Sequence, residues 1–146
     1  MKNSLPTILL VDDDSDDAFF VQNALGATCK RHHFRRVQDG TEAIQYLQRR
    51  PPYDHLQNYP APSLLLLDLK TPRQDGFDVL QWLLTHSDGT LPVIVLTGSI
   101  LDGDRQKALG LGANEYHEKP GPLAEILELF RGISDRWWSR MKLAAA

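Results

Sequence analysis

Along this chain, short apolar or β-prone runs alternate with stretches of helical periodicity from one end to the other, a rhythm that admits few folds. Thr7–Val11, Phe34–Val37, Leu64–Leu67, Val93–Leu96 and Glu115–His117 read as five strands. Asp16 to about Leu25, about Thr41–Gln48, Gly76 to about Thr85, Leu101–Leu109 and Pro122 to about Met141 read as five helices. Ser15 stands where the first helix needs an N-cap, and the acids after it suit the positive end of the helix dipole. Strict β-α-β alternation implies an α/β fold, a doubly wound five-stranded parallel sheet with helices on both faces and strand order 2-1-3-4-5. Leu64–Leu67, four leucines in a row, has the continuous apolar character of a central strand. Pro51, Pro52, Pro60 and Pro62 break the segment between Arg49 and Pro62, which reads as a surface loop.

Composition narrows the class. The chain has 146 residues, of which 42% are hydrophobic and 24% charged, as expected of one globular domain with a core of its own. The expectation is a single domain over 1–146 with no separate output domain. No apolar run approaches the ~20 residues of a bilayer helix and the polar start lacks the pattern of a secretory signal, so a cytoplasmic protein with no membrane partner is expected. One cysteine, Cys29, excludes an internal disulfide and a multi-cysteine metal site. The formal charge of -3 leaves no global basic field, and direct nucleic-acid binding is not expected. Lys30, Arg31, Arg35 and Arg36 form a local basic cluster, open to two readings: a phosphate contact, or the solvated ends of a helix and a strand.

In open parallel sheets, ligands collect beyond the carboxyl ends of the strands. Asp12-Asp13-Asp14 follows the first strand, Asp68 the third, Thr97-Gly98-Ser99 the fourth and Lys119-Pro120 the fifth. Three carboxylates, a hydroxyl and an ammonium therefore meet on one edge although they are far apart in sequence. Two carboxylates ~5 Å apart repel by ~3 kcal/mol at an effective dielectric near 20, so a cation must sit among them. Oxygen ligands without sulfur favour Mg²⁺. Asp12, Asp13 and Asp68 against Mg²⁺ and Lys119 sum to a neutral assembly, which tolerates an arriving phosphoryl group with Asp68 as the nucleophile.

These segments resemble the receiver domain of two-component response regulators, a flavodoxin-like fold, over nearly the whole chain. The resemblance rests on Ile8–Asp14, on Leu65–Pro72 with Asp75-Gly76, on Val95–Gly98 and on Gly112–Pro120, in family order. It implies that Asp68 is phosphorylated by a sensor histidine kinase or phosphotransfer protein. It also implies that Asp12 and Asp13 bind the metal with the Lys70 backbone carbonyl, and that Thr97 and Lys119 hold the phosphoryl oxygens. Tyr116 matches the family's switch aromatic, whose ring turns inward on phosphorylation, with Gly98 leaving room for it. The chain would catalyse only its own phosphorylation and slow hydrolysis. The finer resemblance is to single-domain regulators paired with phytochrome-type histidine kinases.

Two side chains invite further expectations. The Lys70 ammonium either covers phosphorylated Asp68 or points to solvent. In the last helix the stripe Ile126, Leu127, Phe130, Ile133, Trp137 and Met141 is expected to outrun the sheet, leaving Trp137 and Trp138 to anchor a homodimer or to fold back on the domain. A phosphohydrolase of the haloacid-dehalogenase type uses the same ingredients, but places its nucleophile after the first strand and needs a cap domain. A pure interaction module is the third reading, disfavoured by the complete acidic, hydroxyl and lysine set.

Overall fold

A computed structural model describes residues 4–99 and 101–145. The elements run β1 (Thr7–Val11), α1 (Ser15–Thr28), β2 (His33–Val37), α2 (Gly40–Leu47), β3 (Leu64–Leu67), α3 (Gly76–His86), β4 (Val93–Thr97), α4 (Asp102–Gly110), β5 (Glu115–Glu118) and α5 (Leu123–Ala145). All five strands are parallel in the order β2-β1-β3-β4-β5, as the alternation predicts.

Because side chains alternate faces along a strand, each strand supplies two cores. Leu9, Val11, Leu65, Leu67, Val93 and Val95 pack against α2, α3 and α4 residues such as Ile44, Val79 and Ala108. Ile8, Leu10, Leu64, Leu66, Ile94 and Leu96 pack against Ala18, Val21 and Leu25 of α1 and Phe130 and Ile133 of α5. Burial on both faces explains why the central strands are apolar at consecutive positions, with only Thr7 and Thr97 polar at their ends, rather than at every second one.

Local capping departs from the expectation at one point. Asp14, not Ser15, caps α1, accepting hydrogen bonds from the Asp16 and Asp17 amides at 2.9 and 3.1 Å. With Asp14 as the cap, Ser15 is itself the first helical residue. Asp39 caps α2, and Asp75 closes a reciprocal capping box with Asp78 on α3.

The last helix is longer than expected and better covered. Met141 is fully buried, and Trp137 and Trp138, both half-buried, pack on the same core as Phe130 and Ile133. The stripe therefore stays on its own domain. β5 supplies the anchor: Glu115 accepts hydrogen bonds from Arg136 Nε at 2.8 Å and NH2 at 2.6 Å, from Trp137 Nε1 at 2.6 Å, and pairs with His117 Nε2 at 2.7 Å.

The proline-rich connection before β3 lies on the surface but is tied down. Tyr46, Tyr53 and Tyr59 stack with centroids 5.0 to 5.9 Å apart, and the Tyr46 hydroxyl donates to the Pro60 carbonyl at 2.6 Å. Arg49, at φ 59°, lays its guanidinium over the Tyr46 ring and donates to the Tyr59 carbonyl. Of the basic cluster, Arg35 donates to the Asn58 carbonyl and Arg36 to the Asp12 carbonyl, so both serve the main chain.

Candidate functional site

Register brings the acids together. Val11 pairs with Leu67, so Asp12 and Asp68, the next residue on each strand, emerge side by side. Thr97 pairs with Glu118 on the other side of β3, and Lys119 follows at once, its amide donating to the Thr97 carbonyl at 2.8 Å. Gly76 completes the cradle: a Cβ there would lie 2.7 Å from the Asp68 carbonyl oxygen, so only glycine lets α3 start this close to the acid.

Asp12 and Asp68 are buried, at 1% and 5% exposure, while Asp13 is exposed. Each of the three offers a carboxylate oxygen within 4.8 Å of the others. Two buried acids and one open one, all-oxygen and on one side of a strand edge, suit a hard divalent cation that keeps some of its water. The main chain holds them in place. Asp12 Oδ1 accepts from the Asp14 amide at 2.9 Å, and Asp68 Oδ1 from the Lys70 amide at 3.2 Å, which curls residues 68–70 around the carboxylate.

Lys119 Nζ lies 2.9 Å from Asp12 Oδ2, 2.9 Å from Asp68 Oδ2 and 2.8 Å from Asp17 Oδ2. Burial alone would lower the pKa of this ammonium, but its hydrogen bonds to Asp17, Asp12 and Asp68 reverse that and hold it well above the ordinary lysine range. Burial raises the Asp12 carboxyl against the pull of Lys119 and of the Asp14 amide.

Asp17 is the member that sequence reasoning missed. It sits in the first turn of α1, where its charge is already accounted for by the helix dipole. With Asp17 counted, the neutral sum of three acids, Lys119 and a divalent ion becomes net negative.

Thr97 is fully buried, its hydroxyl oxygen accepting from the Ser99 amide at 3.3 Å. Tyr116, 7% exposed, already points inward, and its hydroxyl donates to the Ser99 carbonyl at 3.3 Å. Arg105 donates to the Tyr116 carbonyl at 3.2 Å and lies over the ring. Gly98 does not make this room: a Cβ there would meet nothing within 4 Å. The Lys70 side chain is 63% exposed, with its ammonium 3.7 Å from Asp104 Oδ2 rather than over Asp68. Asp104 also accepts the Ser99 hydroxyl at 2.5 Å.

At one end of a groove between α1 and α5, Asp12, Asp17 and Lys119 form the polar wall. Phe20, Leu123 and Ile126 line the rest of a cavity of about 310 Å³. Among the described residues no helix is long and apolar enough to cross a membrane.

Comparison with known proteins places this edge in context. The family described as the response regulator receiver domain matches residues 8–131. Response regulator Rcp1 from Synechocystis sp. is 34% identical over 145 residues, covering 99% of this chain and 97% of that protein. The crystal structure of the phosphorylated cyanobacterial phytochrome response regulator RcpA superposes with a TM-score of 0.84 at 32% identity, covering 93% of this chain and 96% of that one. The Mn²⁺-bound form of Rcp1 does so with a TM-score of 0.80 at 34% identity, over 90% and 94% of the two chains. Sequence and fold agree, and the chain belongs to the response regulator receiver domain family of two-component signalling.

Proposed function

We propose that this receiver takes a phosphoryl group on Asp68 from a phosphohistidine of a sensor histidine kinase or phosphotransfer protein. The kinase is of the phytochrome-linked kind that RcpA serves by its name. The observation that carries the reading is the Asp68 carboxylate, buried at the end of β3 with Asp12 beside it and the Lys119 ammonium 2.9 Å away.

In the transfer, an Asp68 carboxylate oxygen attacks phosphorus, the phosphorus–nitrogen bond breaks and its electron pair stays on the imidazole, which takes a proton from solvent. Lys119 and the Thr97 hydroxyl hold the phosphoryl oxygens in place, an electrostatic task suited to a buried edge. Asp12, Asp13, Asp68 and the Lys70 carbonyl would hold Mg²⁺, which screens the acids from the incoming charge when bound. The similar regulator Rcp1 has a Mn²⁺-bound form, and Mn²⁺ is a cation of the same oxygen-seeking class.

Phosphorylation then acts as a local charge event biasing the segment from β4 to α5. Tyr116 and Ser99, joined by a hydrogen bond two residues beyond Thr97, are the nearest elements able to relay it to a partner-binding surface. We place the protein in the cytoplasm, where such kinases present their phosphohistidine. Self-association is a separate part of the reading. Since Trp137 is engaged by Glu115, it uses the open side of α5, where Leu143 is 77% exposed. A light-scattering mass that stays monomeric across concentration removes that part alone.

Transfer from a radiolabelled autophosphorylated kinase tests the whole. Label is expected on the wild-type chain with Mg²⁺, and not after chelation or in Asp68→Asn. Label retained by Asp68→Asn refutes the assignment.

A further inference from the structure

Among the described residues Lys119 is the one cation whose ammonium touches the carboxylates of the rim, and it touches a carboxylate that no phosphoryl-transfer role requires. Asp17 Oδ2 stands 2.8 Å from Nζ, as close as Asp12 or Asp68, yet its side chain is 40% exposed and approaches from α1, outside the strand edge. The other cations nearby are already engaged: Arg36 donates to the Asp12 carbonyl and Lys70 lies toward Asp104. With four acids, one ammonium and a divalent ion, the site carries a net negative charge before any phosphoryl group arrives.

We propose that Asp17 is a specificity-determining residue: it competes with an incoming phosphoryl group for the Lys119 ammonium and, by its own charge, disfavours phosphorylation by small free anionic donors. This rests on Asp68 being the acceptor. A small acyl phosphate must approach as an anion against the uncompensated acid, and Lys119 must leave Asp17 to meet it. A protein donor differs, because its surface can bring a cation to the exposed side of Asp17 and release Lys119 as it docks. Asp17 is reachable for that purpose, lying on the wall of the α1–α5 groove beside Lys119.

The chemical step with a small donor such as acetyl phosphate is simple. An Asp68 oxygen attacks phosphorus, the bond from phosphorus to the acetyl oxygen breaks, and acetate leaves with the electron pair. Asp17 enters none of these bonds; it sets the field in which they form.

The test uses acetyl phosphate with Mg²⁺ and reads labelling of the full chain by intact mass. Asp17→Asn is expected to raise kcat/KM by about two- to fivefold at low salt, the range of a partly exposed ion pair. The gain should shrink as salt screens the repulsion. Asp17→Glu, which keeps the charge, should stay near wild type. Asp16→Asn removes an equivalent charge from the same helical turn without touching Lys119, and should change little. In parallel, Mn²⁺ binding followed by electron paramagnetic resonance should weaken by about two- to fivefold in Asp17→Asn. A loss of fold would depress both readouts, whereas the proposal moves them in opposite directions.

Asp17→Asn labelled no faster than Asp16→Asn, or a gain indifferent to salt, overturns the inference and leaves the acceptor assignment standing. Label on Asp17→Asn that persists when Asp68→Asn is added to the same chain overturns both.

Discussion

Lys119 and Glu115 lie four residues apart at opposite ends of β5, and they are mirror images in charge. At the rim, one ammonium is shared by Asp12, Asp17 and Asp68. At the base, one carboxylate is held by Arg136, Trp137 and His117. The first cluster has more acid than it can neutralise and is therefore ready for a cation; the second is saturated with donors and holds α5 against the sheet. Saturation marks the structural cluster, and a deficit marks the reactive one.

The comparison breaks most visibly at the rim. Lys119→Met leaves Asp12 and Asp68 buried without their counter-ion, and unfolding in denaturant with a chelator present should show a loss of about 3 kcal/mol. Added divalent ion should restore part of it.

Next in size is the stabilisation by the cation itself. Mg²⁺ at a hundred times its dissociation constant should add ~2.7 kcal/mol to the wild type by mass action. In Asp13→Asn that gain should largely vanish, while stability without metal stays within about 0.5 kcal/mol because Asp13 is exposed.

The base should answer differently. Glu115→Gln is expected to cost about 1–2 kcal/mol, insensitive to metal, from weakened hydrogen bonds to charged groups. Burial works against ionisation of Glu115, but its bonds from Arg136, His117 and Trp137 hold the carboxyl down to about 2. A depressed carboxyl contributes stability above its ordinary range near 4.5 and loses it as pH falls toward 2. Denaturation between pH 5 and pH 2.5 should therefore show a steeper decline in the wild type than in Glu115→Gln, and equal slopes would remove Glu115 from the acid response. Smallest is Trp137→Phe, which removes the indole donor and a few half-buried ring atoms and should cost about 0.5–1 kcal/mol in the same assay.

Much of this architecture was legible because the strands announce themselves. Leu64–Leu67 could only be a strand buried on both faces, and the polar residue after each run had to face the ligand edge. Asp12, Asp13, Asp68, Thr97 and Lys119 follow from that rule alone. Asp17 did not, because a helical acid in a first turn has a sufficient explanation in the helix dipole and nothing local reveals that Lys119, 102 residues later, folds onto it. Glu115 was hidden for the same reason, since its donors come from α5 and from its own strand. The tryptophans left two readings open for a different reason. A stripe of apolar residues at helical spacing reports a buried face but not the length of the surface that buries it, and here Met141 belongs to the same core as the α1 residues Val21, Ala24 and Leu25.

The tyrosine stack in the connection before β3 carries a practical consequence. Long proline-bearing surface segments are ordinarily where proteases first cut, because their backbone can be drawn out into an enzyme's cleft. Here the Tyr59 and Pro60 carbonyls are held by Arg49 and Tyr46 and the rings close over the path. Limited digestion should spare this segment and open the short turn after α3 instead, where Asp88 and Gly89 are exposed and bonded only to their neighbours.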